Sequence, residues 1–149
     1  MGRAEISREV EYISSTQSWV CDFRTKEGLS IKLTIPPTVY PPRRDTELLL
    51  EGLNQIRMEP GTLVEIGCGS GAISIAKALE YWKVTAFDVN PLAVAASRGN
   101  SEAAGVNDRV IVEEGGVGEE NWKLPAADIV TWNLPYLTPD FENTLGPME

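Results

Sequence analysis

The sequence predicts an α/β protein whose core is a mainly parallel β-sheet, and three observations lead to that prediction. From residue 62 onward, short apolar segments alternate with longer helical segments, as in βαβ units. A glycine-rich loop joins the first of these strands to its helix. Before residue 62, an alternating apolar segment follows a glycine-containing turn, which is typical of a β-hairpin. Together these features predict a Rossmann-like, doubly wound sheet with an N-terminal hairpin extension.

The N-terminal segment is expected to contain a short helix and the hairpin. Residues 1–15 place apolar side chains at helical spacing, which predicts an amphipathic helix. Residues 19–23 and 29–35 are predicted as two strands, because the second alternates apolar and polar residues without a break. Gly28 supplies the permissive backbone for the turn between them.

A proline-rich linker separates this lead-in from the core. Proline disfavours helix interiors and inner strands, and it occupies four positions here: Pro36, Pro37, Pro41 and Pro42. Asp45 or Thr46 is expected to cap a helix over 46–57. We therefore divide the chain into a lead-in of residues 1–45 and a core of residues 46–149.

The core is expected to begin its strand–helix alternation at residue 62. Four strands are predicted, over 62–66, 84–87, 109–113 and 127–132. A helix over 72–81 follows the glycine loop. Asn90 and Pro91 provide an N-cap and a first-turn proline for the next helix, which Gly105 is expected to end.

Composition excludes several classes of protein and of catalytic site. The chain has 149 residues, 42% hydrophobic and 23% charged, which fits one soluble domain. Neither a membrane-spanning apolar segment nor a secretory signal is expected, and two cysteines agree with a cytoplasmic location. The chain contains no histidine, which excludes Ser-His-Asp triads, Cys-His pairs and histidine-ligated metals. No metal site is predicted.

The charge distribution indicates the kind of partner. The formal net charge is −9, and most of the acidic excess lies after residue 61. An acidic surface repels phosphate backbones, so we expect a protein partner more than nucleic acid.

The glycine loop and the following acid predict a nucleoside-binding site. Gly67, Gly69 and Gly71 follow an apolar strand, and Asp88 ends the next strand, where dinucleotide folds place a ribose-binding carboxylate. The spacing also fits NAD or FAD, so a nicotinamide-dependent oxidoreductase is one alternative. However, Glu65 precedes the glycines, and a second carboxylate suits a ligand with an ammonium and a sulfonium better than a pyrophosphate.

The segments E-I-G-C-G-S-G (65–71) and F-D-V-N-P (87–91) resemble the first two motifs of class I S-adenosylmethionine (SAM) methyltransferases. The resemblance implies that the glycines hold the amino-acid end of SAM, with Glu65 beside them. It also implies that Asp88 binds the ribose and that Val89 and Asn90 lie near the adenine.

The tetrapeptide after the fourth predicted strand is similar to the N-P-P-Y motif of methyltransferases that modify an NH2 group on a planar carbon. It comprises Asn133, Leu134, Pro135 and Tyr136. Such a nitrogen is a poor nucleophile, and two acceptors for its N–H bonds would aim its lone pair and stabilise developing positive charge. The resemblance implies that these acceptors are the Asn133 side-chain oxygen and the Leu134 carbonyl. Leu134 replaces the family's first proline but keeps that carbonyl.

The segment 39–50 resembles the signature of HemK-type glutamine-N5 methyltransferases, including V-Y-x-P and D-T. The resemblance implies that Tyr40 and Thr46 close over the cofactor. Members that modify glutamine act on the Gly-Gly-Gln loop of translation release factors, which is the favoured substrate. Enzymes that methylate adenine N6 or guanine N2 share the core motifs and are the alternative.

Two features depart from this family. An acid that meets the adenine is often present after the third strand, but this chain has Gly115-Gly116, so we expect Glu113 or Glu114 to supply the contact or the contact to be absent.

The sheet also looks C-terminally short, because few residues follow the fourth strand. We therefore expect the edge of that strand to be covered by a second copy of the chain or by a partner. The resemblance also implies a small zinc-binding activator in one branch, and a non-catalytic SAM-binding module is a further alternative.

Overall fold

The computed structural model describes residues 17–134, and in this range it contains six strands and three helices. The strands are β1 (Trp19–Arg24), β2 (Ser30–Ile35), β3 (Thr62–Ile66), β4 (Lys83–Asp88), β5 (Val110–Glu114) and β6 (Ile129–Trp132). The helices are α1 (Arg44–Asn54), α2 (Ala72–Leu79) and α3 (Pro91–Ala103). The helix predicted over 1–15 lies outside the described residues.

The predicted hairpin is confirmed. Strands β1 and β2 pair antiparallel, with Trp19 opposite Ile35. Gly28 takes a left-handed φ of 86° in the turn, as its lack of a Cβ allows. The apolar residues of β2 are buried and its polar residues are exposed, so the hairpin places one apolar face on the core.

The predicted parallel sheet is also confirmed, and with it the Rossmann-like fold class. Its strand order is β5-β4-β3-β6, and every neighbouring pair is parallel. Helix α2 connects β3 to β4, and α3 connects β4 to β5. The carboxyl ends of β3, β4 and β6 therefore meet at one edge of the sheet, where ligands bind in open α/β folds.

The boundaries of α1 and α2 differ from the prediction. Helix α1 begins at Arg44 with Arg43 at the N-cap position, so Asp45 and Thr46 lie inside its first turn and not at the N-cap as predicted. The Thr46 hydroxyl instead accepts a hydrogen bond of 3.1 Å from the backbone N–H of Arg43. Helix α2 ends at Leu79 because Tyr81 adopts a left-handed φ of 72°, which stops the helical hydrogen-bond pattern.

The start of the fourth predicted strand is wrong as well. Strand β6 begins at Ile129, and the carboxylate of Asp128 just before it accepts a 2.8 Å hydrogen bond from the backbone N–H of Thr62. The backbone N–H of Asp128 also donates to the Thr62 carbonyl at 3.0 Å, so both side chain and backbone join the amino-terminal ends of β3 and β6. The ladder between the two strands starts one residue later on each, at Leu63 and Ile129.

The main hydrophobic core lies between the sheet and its helices and hairpin. Buried apolar residues of all three helices and of the hairpin form this cluster with alternate residues of β3, β4 and β5. The opposite face of the sheet carries a smaller cluster of Val64, Ile66 and Phe87, against which Trp122 and Ala127 pack. The ring of Phe87 meets the Trp122 ring edge-on, with centroids 5.2 Å apart.

Strand β6 lies at one edge of the described part of the sheet and pairs there with β3. Val130 and Trp132 are 44% and 39% exposed on this strand. The expected cover for this edge, a second copy or a partner, stays a prediction. None of the three helices between residues 17 and 134 has the length and apolar character needed to cross a bilayer.

Candidate functional site

A cavity of about 340 Å³ lies at the carboxyl ends of β3, β4 and β6. Its walls come from the glycine loop, the residues just after β4, the end of β6 and the residues after β5. The proline-rich linker before α1 (residues 36–43, the proline segment) supplies the remaining wall. The volume falls within the range of about 300–1,000 Å³ that is usual for small-molecule sites. The predicted motifs thus meet at one place in the fold.

The glycine loop forms the floor of this cavity. Gly67 and Gly69 line it, with φ angles of 69° and 55° that suit glycine. Gly71 also has a positive φ of 91°, but it faces α3 instead: a Cβ there would lie 2.8 Å from the Ser97 hydroxyl oxygen. Gly71 therefore sets the distance between α3 and the loop.

Asp88 fastens the loop to the end of β4. One carboxylate oxygen accepts a 2.8 Å hydrogen bond from the backbone N–H of Gly69, and the other accepts a 2.9 Å bond from that of Asn90. Burial raises the pKa of the Asp88 carboxyl, although these N–H donors act in the opposite direction. The carboxylate lines the cavity and retains lone pairs for a ligand.

Glu65 lies beneath the loop on β3 and is only 4% exposed. Its carboxyl accepts hydrogen bonds from the Ser74 hydroxyl and, at 3.0 Å, from the Ser74 backbone N–H. Burial raises the pKa of Glu65 to about 8, since removal from water disfavours the charged form, and the nearby Asp88 adds a smaller effect in the same direction. This carboxyl also lines the cavity.

Val89 and Asn90 line the cavity beyond Asp88. The Asn90 side-chain oxygen accepts a 3.0 Å hydrogen bond from the Leu92 N–H and so caps α3 as predicted. Its NH2 group donates to the hydroxyl oxygen of Thr38, at 3.0 Å, and to the Thr38 carbonyl, at 3.3 Å. Asn90 thereby holds the proline segment over the cavity, a role that sequence reasoning missed.

Asn133 and Leu134 line the cavity from the end of β6, and Pro135 and Tyr136 lie outside the described residues. The Asn133 Nδ2 donates a 2.9 Å hydrogen bond to the Asp45 Oδ2. Tyr40 and Thr46 line the cavity too, on the side of the proline segment and the first turn of α1.

Several lining residues were not predicted as site residues, among them Asp45, Trp132 and Val117. Asp45 was predicted as a possible helix cap and formed part of the D-T signature, whereas Trp132 and Val117 carried no motif signal. The indole Nε1 of Trp132 lies 3.8 Å from where a Cβ on Gly67 would stand, so a side chain at 67 would face this ring. The available signal for Trp132 was its position alone, at the end of β6 and directly before Asn133.

Of the two alternatives for the adenine contact, an acid at Glu113 or Glu114 or no acid, the cavity wall agrees with the second. Gly115, Gly116 and Val117 line it there, whereas Glu113 and Glu114 are exposed and do not. A Cβ on Gly115 would lie 2.6 Å from the Trp122 ring, and one on Gly116 would lie 3.0 Å from Val89, which is a tight contact. Packing against Trp122 therefore accounts for the glycine at 115.

The lining suits a ligand that carries positive charge and an apolar part. Among the lining residues between 17 and 134, three are acidic (Asp45, Glu65 and Asp88) and one, Arg43, is basic. Ile66, Ile73, Ala93 and other apolar residues supply the remainder of the wall. Such a cavity has little to offer a pyrophosphate, whose negative charges would face the carboxylates of Asp45 and Asp88.

The chain is similar to several methyltransferases. The family model described as "Ribosomal protein L11 methyltransferase (PrmA)" matches residues 44–148. A probable cobalt-precorrin-6B C(15)-methyltransferase (decarboxylating) of Pyrobaculum aerophilum is 42% identical over 91 residues, covering 58% of this chain and 46% of that protein. A release factor glutamine methyltransferase of Fusobacterium nucleatum is 30% identical, covering 97% of this chain and 39% of that protein.

Solved structures share the fold. The 16S rRNA N2 G1207 methyltransferase of T. thermophilus, solved with AdoMet and guanosine, is 18% identical with a TM-score of 0.70; the match covers 88% of this chain and 38% of that chain. The chain thus spans less than half the length of the two curated relatives described above. Since the family model covers well over half of its residues, the chain belongs to the ribosomal protein L11 methyltransferase (PrmA) family.

Proposed function

We propose that this chain is a SAM-dependent methyltransferase that moves a methyl group to a planar amide or amino nitrogen. The favoured acceptor is the glutamine side chain of a protein such as a translation release factor. The observation that carries the proposal is a single cavity whose wall includes Gly67, Gly69, Asp88 and Asn133. A cofactor loop and an acceptor-binding motif are thereby within reach of one another.

The cofactor is S-adenosylmethionine, in keeping with the family and with the acidic lining of the cavity. When bound, it supplies a methyl group on a positively charged sulfur. Gly67, Gly69 and Glu65 are assigned to its amino-acid end and Asp88 to the ribose hydroxyls. Val89 and Asn90 are assigned to the adenine, and Tyr40 and Thr46 to the opposite wall. Gly71 supports the loop through its packing on Ser97.

Asn133 and Leu134 are proposed to bind the acceptor nitrogen. The conjugated NH2 group would donate one N–H to the Asn133 Oδ1 and the other to the Leu134 carbonyl. These two bonds orient the lone pair and stabilise the charge that grows on nitrogen. The proton leaves after the transfer, so a histidine base is not needed, in line with a sequence that has none.

A protein acceptor is supported by two independent features. The first is the similarity to release factor glutamine methyltransferases, one of which aligns along 97% of the chain. The second is the formal net charge of −9, which disfavours contact with a phosphate backbone. A small activating partner or a second copy that covers the β6 edge belongs to the same proposal.

The test is methyl transfer from radiolabelled SAM to a release factor that contains the Gly-Gly-Gln loop, with deproteinised RNA and DNA as parallel acceptors. Asn133→Ala removes the proposed acceptor atom, so we expect transfer to fall at least about 100-fold, the cost typical of losing one transition-state hydrogen bond. SAM affinity, measured by calorimetry, is expected to change less than about threefold, because Asn133 is not assigned to the cofactor. Asn107→Ala, at an exposed asparagine away from the cavity, is the matched control.

The remaining outcomes separate the alternatives. Label in RNA or DNA, with none in the release factor, would overturn the protein acceptor and favour an amino-methyltransferase of nucleic acid. SAM binding without transfer to any acceptor would favour a non-catalytic SAM-binding module. Binding of a nicotinamide cofactor, with none of SAM, would overturn the cofactor assignment.

A further inference from the structure

The side-chain amide of Asn133, directly after β6, is held by a residue from a distant part of the chain. Its Nδ2 donates to the Oδ2 of Asp45, 88 positions earlier in the sequence, at 2.9 Å. Asp45 lies in the first turn of α1, and both residues line the cavity. The first turn of α1 and the end of β6 are therefore joined at the cavity wall.

This contact matters because the two ends of a carboxamide have nearly the same shape and opposite hydrogen-bonding character. One end accepts hydrogen bonds, and the other donates two. An asparagine free to rotate by half a turn would present donors to an NH2 group, which also brings donors. To accept an N–H bond from the substrate, Asn133 must direct its side-chain oxygen into the cavity in every turnover.

We propose that Asp45 is a positioning residue that orients the Asn133 amide, so that its Oδ1 is the atom offered to the acceptor nitrogen. A carboxylate has acceptor lone pairs alone, so it pairs with the NH2 end of the amide and not with its oxygen. The oxygen is thereby left for a group in the cavity. This inference rests on the proposed function for its catalytic consequence, whereas the orientation itself is a property of the protein without substrate.

A purely structural role for Asp45 makes a different prediction. An acid in the first turn of a helix stabilises the positive end of the helix dipole, and Glu47 in the same turn does the same. Glu47 pairs with Arg44 at 3.0 Å on the surface and does not line the cavity. Glu47→Ala is therefore the matched control, since it removes a first-turn acid without the contact to Asn133.

The first measurement is the side-chain NH2 resonance pair of Asn133 in the ¹⁵N-labelled protein, assigned by its loss in Asn133→Ala. In Asp45→Ala we expect this pair to shift and to exchange with solvent faster, because its acceptor is gone. In Glu47→Ala we expect it to stay in place. An Asn133 pair that is unchanged in Asp45→Ala would overturn the proposal, whether or not the protein has measurable activity.

The second measurement is methyl transfer at saturating SAM. We expect Asp45→Ala to lower kcat by about 10-fold, the size of losing one charge-assisted hydrogen bond, with SAM affinity within about twofold of the wild type. Asp45→Asn keeps an acceptor oxygen and should recover part of the loss. An equal loss in Glu47→Ala, or a loss in SAM affinity that accounts for the whole effect, would overturn the positioning role. If the wild type transfers no methyl group to any acceptor, the proposed function fails, and the resonance of Asn133 still decides the orientation.

Discussion

Among the acidic residues between 17 and 134, Glu65 is the only one that is buried. Its carboxyl is buried between β3 and α2 and is hydrogen-bonded to Ser74. Burial raises its pKa from 4.5 to about 8, so the folded protein holds a proton at neutral pH that the unfolded chain releases. A ligand that carries positive charge would favour the ionised form again, which links occupation of the cavity to loss of that proton.

The raised pKa has a consequence for stability with a defined sign. Between pH 4.5 and about 8 the folded state binds one more proton than the unfolded state, so stability falls as pH rises through this window. The slope from this group is at most about 1.4 kcal/mol per pH unit. Glu65→Gln is neutral at every pH and keeps an oxygen for Ser74, so we expect it to lose less stability than the wild type between pH 5.5 and 8.5.

Urea unfolding at pH 5.5, 7.0 and 8.5 measures this difference. Glu113→Gln, at an exposed acid on β5, is the control and should follow the wild type. Parallel pH profiles for Glu65→Gln and the wild type would contradict the prediction.

At the scale of elements, the glycine loop is shaped by the helices beside it as much as by the ligand cavity. Gly69 donates its N–H to Asp88 and accepts a 3.0 Å hydrogen bond at its carbonyl from the Ser97 hydroxyl. Cys68 is buried between the loop and α3, and burial raises the pKa of its thiol well above the usual value. The loop is thus fixed from both sides before a ligand enters.

Gly71 and Gly105 allow two costs of adding a side chain to be measured separately: backbone strain at a left-handed φ, and the clash of a Cβ with a neighbouring residue. Both have left-handed φ angles, of 91° and 73°, but a Cβ at 71 meets Ser97 whereas one at 105 meets open space. Gly105→Ala should therefore cost the backbone strain alone, about 1–2 kcal/mol. Gly71→Ala should cost a further 1–3 kcal/mol, roughly, because α3 must move away. Urea unfolding of both variants measures the difference, and equal losses would show that α3 yields at no cost.

At the scale of the whole molecule, Asn100 connects the N-terminal hairpin to the sheet domain. Its side chain pairs with the backbone of Thr34 in both directions, at 2.9 and 3.0 Å, and also donates to the Ser70 carbonyl at 2.9 Å. The Asn100 side chain thereby makes with Thr34 the pair of hydrogen bonds that the backbone of a neighbouring strand would make at the outer edge of β2. These bonds hold the hairpin against the core, and the proline segment that follows β2 lies against the cavity.

We expect Asn100→Ala to destabilise the protein by about 2–3 kcal/mol, because it leaves several backbone groups without partners beside a buried site. Hydrogen exchange of the Thr34 N–H should accelerate more than that of amides in β3, since the loss is at the hairpin. Asn107→Ala, at an exposed asparagine, should change neither quantity. Uniform acceleration throughout the sheet would instead mean that hairpin and core unfold as one unit.

Much of the fold was predictable from local signals. A hairpin is specified by the alternation of apolar and polar residues over 29–35 together with the glycine at 28. A strand and a sharp turn are specified by the apolar segment at 62–66, which is followed by three spaced glycines. The predicted boundaries of β3 agree with the structure, whereas those of α1, α2 and β6 differ by two to three residues at one end or both. The end of α2 follows from the left-handed backbone at Tyr81, whereas the residue before β6, Asp128, is bonded to Thr62, 66 positions away.

The sequence by itself determined the fold class and the motifs that meet at the cavity, because strand and helix periodicity and turn chemistry are written in neighbouring residues. The tertiary structure alone decided which side chains meet across long sequence separations: Asp45 with Asn133, Asn100 with Thr34, and Asn90 with Thr38. It also decided that burial raises the pKa of Glu65 to about 8 and that packing of Trp122 requires glycine at 115. These properties depend on burial and on distances between segments, and neither is defined until the helices have packed on the sheet.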